Sequence, residues 1–120
     1  MNNNQNQKPY DLEERTRLFA KDIISFSGAL PRTIANIEIV KQMVMAAGSV
    51  GANYIEANES LSKKDFGVRI KICRKEAKEA KYWLSLLEVR NGDMEDRRKR
   101  LAGEATELLR IFSSMVAKFK

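Results

Sequence analysis

Residues 66–87, FGVRIKICRKEAKEAKYWLSLL, decide the fold. Phe66, Ile70, Cys73, Ala77, Ala80, Leu84 and Leu87 recur at steps of 4, 3, 4, 3, 4 and 3. That is the spacing at which side chains stack on one face of an α-helix. Val68, Ile72, Trp83 and Leu86 form a shorter flanking stripe. Lys, Arg and Glu, all good helix formers, fill most of the remaining positions. Upstream, Ser60 or Ser62 is placed to cap the helix, and Asp65 puts a negative charge in its first turn. Downstream, Asn91-Gly92-Asp93 reads as a turn and C-cap signal, short enough to make the next helix an antiparallel neighbour.

The same rhythm extends in both directions. Leu12, Thr16, Phe19, Ile23, Phe26 and Leu30 form the buried stripe of a first helix, ended by Ser27-Gly28 and Leu30-Pro31. A second helix opens near Thr33, whose hydroxyl can cap it, and runs to about Glu59. It carries two apolar stripes: Ile37, Val40, Val44, Ala47, Gly51 and Tyr54, then Ile39, Met43, Ala46, Val50, Asn53 and Ala57. Two stripes on one helix predict that most of its surface is covered, either centrally in a bundle or between subunits. Gly48 and Gly51 each cost about 1 kcal/mol in a helix relative to Ala, so close approach of a neighbouring helix is expected there. The fourth helix carries Met94, Arg97, Leu101, Ala105, Leu108, Phe112, Met115 and Phe119.

Four amphipathic helices with short connections predict an all-α, up-down-up-down four-helix bundle over residues 10–120, preceded by a disordered Asn/Gln-rich tail over residues 1–9. At 120 residues the chain is the size of one domain. It has no histidine, which removes Ser-His and Cys-His nucleophile pairs, imidazole bases and most zinc and di-iron sites. A non-enzymatic protein without metal or cofactor is the expectation. Cys73 is the only cysteine and reads as a small core residue, so an intrachain disulfide is excluded. With no apolar leader segment and no long apolar run, a soluble, cytoplasmic protein without membrane attachment is expected.

The net charge of +6 is unevenly placed. Residues 1–62 hold 6 basic and 7 acidic side chains, whereas residues 63–120 hold 16 and 9. Lys64, Lys71, Lys75 and Lys78 follow one side of the third helix, away from its apolar stripe, over roughly 21 Å. Such a row can track a polyanion backbone through sequence-blind, salt-sensitive contacts. With Lys63, Arg74 and Lys81 on the same helix and Arg97, Arg98 and Arg100 at the start of the fourth, these residues form the expected nucleic-acid surface. The competing reading is a solvated face with local ion pairs, Lys75 to Glu79 and Arg100 to Glu104 among them. Tyr82-Trp83 offers a stacking platform, although the position of Trp83 beside Leu86 favours burial in the bundle or a subunit interface.

Three glutamate pairs, Glu56/Glu59, Glu76/Glu79 and Glu104/Glu107, put carboxylates at i,i+3, as a Mg²⁺ site would require. The first two pairs loosely resemble the paired motifs of all-α nucleoside-triphosphate pyrophosphohydrolases, with a glutamate where the closing aspartate is usual, but such spacing is common by chance in charged helices. A polar interior network joining Asn53 and Glu56 to the basic third helix is the preferred reading.

Ser49, Asn53 and Glu56, then Ser62, Asp65 and Phe66, then Glu76, Glu79, Trp83 and Leu84 follow the pattern S-x-x-x-N-x-x-E, S-x-x-[DE]-F and E-x-x-E-x-x-x-W-L. In this the chain resembles the four-helix-bundle proteins of the 23S rRNA-intervening-sequence family over roughly residues 11–119. It departs from them at Ala80, where a threonine is usual, and at Asn58, where many carry glycine. The resemblance implies a bacterial homopentameric barrel without established enzymatic activity, encoded in some members within inserts in ribosomal RNA genes. It gives Asn53, Glu56, Glu76, Glu79 and Trp83 structural or subunit-interface roles. A sister group consists of accessory proteins of diversity-generating retroelements, whose basic pentamers associate with a reverse transcriptase and nucleic acid. The resulting expectation is a homo-oligomeric basic bundle that binds RNA or DNA through phosphate contacts. The alternatives are a protein-interaction scaffold and, behind it, a Mg²⁺-dependent nucleotide pyrophosphohydrolase.

Overall fold

The structure, a computed structural model, describes residues 11–119. The tail expected over residues 1–9 lies outside them. Four helices follow in order: α1 (Leu12–Gly28), α2 (Ile34–Asn58), α3 (Lys63–Leu86) and α4 (Gly92–Ala117). Each packs on its neighbours in sequence, and α1 closes the ring against α4, giving the expected up-down-up-down bundle. The α2–α3 contact is the most extensive and the α1–α4 contact the least.

Every helix begins with a side chain accepting from an otherwise unpartnered first-turn N–H. Asp11 accepts from Glu14, Thr33 from Asn36, Ser62 from Asp65 and Asn91 from Met94. Asn91 therefore starts α4 and does not end α3, which corrects the sequence reading. α3 stops at Leu86 because Leu87 turns extended, with its side chain still buried. Residues 87–90 then run to Asn91 without helical structure.

The predicted faces of α1 and α3 form the core. Leu12, Thr16, Phe19, Ile23, Phe26 and Leu30 are buried, as are Ile70, Cys73, Ala77, Ala80, Leu84 and Leu87; Phe66 is half-buried. Thr16 satisfies its buried hydroxyl by donating to the Leu12 carbonyl at 2.6 Å. On α4 the expected stripe holds through Phe112, after which Val116 is buried, Met115 is partly buried and Phe119 is exposed. A straight helix with 3.6 residues per turn drifts away from a strict seven-residue repeat, which brings Val116 to the core in place of Met115. Phe119 lies beyond Ala117, the last residue of α4.

α2 departs most from expectation. Met43, Ala46, Ala47, Val50 and Ala57 are buried. Gly51 meets α1 so closely that a Cβ there would lie 3.0 Å from Thr16 Oγ1. A Cβ on Gly48 would meet nothing within 4 Å, and Met45 (69% exposed) and Ile55 (50%) lie open. The close approach predicted for both glycines exists in this chain only at Gly51.

Candidate nucleic-acid interface

Helical spacing and capping fix where the cations of α3 point. With Ser62 setting its first turn and the Phe66–Leu84 stripe facing inward, Lys64, Lys71, Lys75 and Lys78 come out on the opposite side and are exposed. Tyr82 continues the row one turn beyond Lys78 and is 56% exposed. Its ring meets Trp83 edge-on at 5.1 Å. Trp83 is half-buried, and its indole Nε1 is fully buried with no hydrogen-bond partner among the described residues. Of the two aromatics expected as a platform, only Tyr82 faces outward.

Lys63, Arg74 and Lys81 follow the flank of α3 whose Gly67 meets Phe119 of α4. Lys63 and Lys81 are exposed and Arg74 is half-buried. Within the row, Lys75 lies 3.6 Å from Glu76, not Glu79. An ion pair with such an exposed ammonium is worth little and leaves Lys75 open to other anions.

The arginines of α4 are placed differently. Arg98 donates to the Leu84 and Leu87 carbonyls at 3.3 and 2.7 Å and pairs with Glu95. It closes the end of α3 and does not join the row. Hydrogen bonding to Arg98 holds the Glu95 carboxyl below its ordinary range. Arg97 lies over the Phe26 ring at 5.5 Å, half-buried. Arg97 and Arg100 line a groove between α1 and α4 with Asp22 and Ser25. Glu104 closes one end of that groove through a two-pronged pair with Arg15 at 2.7 and 2.9 Å, in place of the expected Arg100 partner. The ten predicted cations therefore divide into a coherent α3 surface, an α1–α4 groove of mixed charge, and Arg98 in a structural role.

Asn53 makes the expected polar link between α2 and α3. Its Nδ2 donates to the carbonyl and hydroxyl of Ser49, both at 2.9 Å, and its Oδ1 accepts from Arg69 at 2.8 Å. Glu56 stays outside this network, exposed beside Glu59 in a shallow groove that also holds Asp65 and Arg69. Glu76 is half-buried and Glu79 exposed. Among the described residues no three carboxylate or cysteine groups come close enough to hold a metal ion, so the glutamate pairs do not converge. Cys73 is buried, its thiol pushed up to about 12 chiefly by desolvation, and it donates to the Val50 carbonyl at 3.4 Å. Burial likewise raises the Tyr54 hydroxyl above its ordinary value. Neither group is set up as a nucleophile at neutral pH.

Two residues near the basic face were not part of the sequence reading of it. Lys118 and Phe119 come from α4 and its end, and the antiparallel α3–α4 pairing brings them beside Lys63, Lys64 and Lys71. The turn at residues 91–93 was the available signal.

The model of the 23S rRNA-intervening sequence protein family matches residues 9–114. The chain belongs to that family. A crystal structure of a protein of unknown function, from the S23 ribosomal protein family of Bacteroides thetaiotaomicron, superimposes with a TM-score of 0.75 at 27% sequence identity. The match covers 87% of this chain and 96% of that one. No curated protein matches the chain. Family membership agrees with the four-helix architecture and with the S-x-x-x-N-x-x-E motif, whose Ser49 and Asn53 tie α2 to Arg69 of α3. Among the described residues no helix is long and apolar enough to cross a membrane.

Proposed function

We propose that this member of the 23S rRNA-intervening sequence protein family is a non-enzymatic, homo-oligomeric nucleic-acid-binding protein that grips RNA or DNA by its phosphates. One observation carries the reading: Lys71, Lys75, Lys78 and Tyr82 form a single exposed row on the side of α3 opposite the core. Ammonium groups at this spacing neutralise successive phosphates without reading bases, and binding weakens steeply as salt is added. A basic partner of this kind suits a nucleic-acid enzyme such as a reverse transcriptase, to which it would present template or product.

The oligomer rests on α2. Met45, Gly48, Ala52 and Ile55 lie on one outward face, apolar or small, with no cover among the described residues. A second copy seated there would account for an exposed glycine in the middle of a long helix. Ring closure, with five copies on the family resemblance, repeats the α3 row around an axis and multiplies its potential. The same open face favours a second reading, a protein-interaction scaffold.

Fluorescence anisotropy of a labelled RNA, followed over a salt series, tests the first reading, and light scattering tests the oligomer. Reversing Lys71, Lys75 and Lys78 to Glu is expected to weaken RNA binding while far-UV circular dichroism stays unchanged. Equal retention of the variant and the parent on RNA counts against the reading. Capture of a protein partner that survives nuclease treatment would favour the scaffold.

A further inference from the structure

Where α3 begins, Lys63, Lys64, Lys71 and Lys118 line a groove of about 530 Å³ together with Gly67, Val68 and Phe119. That volume falls within the range of small-molecule pockets. Among the described residues no carboxylate lines the groove and none of its four lysines takes part in an ion pair. Asp65, the nearest acid in sequence, lines the separate groove that holds Glu56 and Glu59. The first-turn N–H groups of α3 add positive potential at this end of the helix.

The second feature is aromatic. The Phe119 ring is held from behind by Phe66, at 5.6 Å between centroids and tilted by 55°, and it lies against Gly67, where a Cβ would be 3.6 Å away. The ring is nevertheless 41% exposed. A large apolar ring left open among four ammonium groups is an unfavourable arrangement for an inert surface. It suits a ligand that carries a flat apolar face and negative charge together. In a duplex the base faces are stacked on one another and closed to a side chain, whereas an unpaired nucleotide offers its face to the ring and its phosphate to the lysines.

We infer that this groove is a single-strand site, in which an unpaired base stacks on Phe119 while Lys63, Lys64, Lys71 and Lys118 hold the adjoining phosphates. The inference rests on the nucleic-acid reading above and narrows it: the α3 row serves any polyanion, and this end of the bundle prefers unpaired strands. Apart from backbone groups the groove offers little to read a base edge, so the preference is for strand type and not for sequence.

The test uses the full chain and three probes measured by anisotropy or by competition: a short labelled oligothymidylate, a duplex of the same length, and inorganic polyphosphate, which has charge without bases. Phe119→Leu keeps an apolar group against Phe66 but removes the stacking face. It is expected to weaken oligothymidylate binding about tenfold and to leave duplex and polyphosphate unchanged. Phe119→Trp, which restores a ring, retains the affinity. Unchanged single-strand binding by Phe119→Leu overturns the inference, as does an equal loss on all three probes, and either result leaves the broader nucleic-acid reading standing. Failure of the unmodified protein to bind either nucleic acid overturns both. Circular dichroism confirms that each variant is folded.

Discussion

The side-chain amide of Asn36 holds the backbone of Glu88 from both sides: Oδ1 accepts from the Glu88 N–H at 2.9 Å, and Nδ2 donates to the Glu88 carbonyl at 3.0 Å. The same Nδ2 donates to the Pro31 carbonyl at 2.9 Å. Asn36 is 2% exposed, so it ties the 29–33 connection to the extended segment after α3 in a place water cannot reach. Asn36→Ala is expected to lower stability by about 3 kcal/mol, because it removes three bonds and leaves the backbone groups of Pro31 and Glu88 without them. Asn36→Asp should fare little better, since a carboxylate cannot donate to the two carbonyls. Chemical denaturation with an unchanged m-value is the check, and a loss below about 0.5 kcal/mol would mean that water replaces the amide.

Gly51 and Gly48 sit one turn apart on α2 and should answer oppositely to alanine. At Gly51 the new Cβ meets Thr16 Oγ1 at 3.0 Å and Thr16 Cβ at 3.3 Å. Overpacking costs about 1–3 kcal/mol and outweighs the roughly 1 kcal/mol of helix propensity gained. At Gly48 nothing is met within 4 Å, so the propensity gain should stand and Gly48→Ala should raise the Tm of the separated chain. If a second copy covers this face, Gly48→Leu shifts light scattering towards smaller species without loss of helix. Equal effects of alanine at the two positions would falsify the packing assigned to Gly51.

The bundle was legible in sequence because steps of three and four residues fix a helix face locally, and because Thr33 and Ser62 mark starts by chemistry confined to one turn. Contacts between distant segments were not legible. Glu104 has a local candidate in Arg100, yet it pairs with Arg15, 89 positions away in sequence, because the α1–α4 packing brings the two together. Asn36 reads as one more polar position near a helix start, and its clamp on Glu88 exists only once α3 has ended at Leu86. For the basic surface, periodicity sufficed for the row on α3, whereas Lys118 and Phe119, past the end of α4, entered only through the antiparallel α3–α4 pairing. The open side of α2 was not read in advance: neither apolar stripe assigned to the helix contains Met45, Gly48, Ala52 or Ile55.

Cys73 should be unreactive in the folded protein. Burial pushes its thiol up to about 12, while in the unfolded chain it returns to about 8.5. Between those values the unfolded form loses its proton and the folded form does not. Stability therefore falls as pH rises above about 8.5 and is untouched by this group below that. A thiol reagent near pH 8 is expected to label the protein only as fast as it opens, and denaturant should release full reactivity. Rapid native labelling would place the thiol at the surface, against its complete burial.

Arg98 and the lysines of α3 carry the same charge and should separate cleanly in salt dependence. Arg98 donates to the Leu84 and Leu87 carbonyls, so Arg98→Met strips the end of α3 of its charged donor and should cost on the order of 2 kcal/mol of stability. Its guanidinium is turned into the protein and has little left to offer a phosphate. In folded Arg98→Met the slope of log K against log salt for duplex binding should match that of the parent. Lys71, Lys75 and Lys78 reach solvent, and among the described residues they make no ion pair beyond the loose Lys75–Glu76 approach. Replacing all three with Gln should leave the melting curve nearly in place and flatten the slope by roughly 2–3, one increment for each phosphate no longer neutralised. A flattened slope in Arg98→Met with normal stability would reverse the two assignments and move the interface from the face of α3 to the junction of α3 and α4.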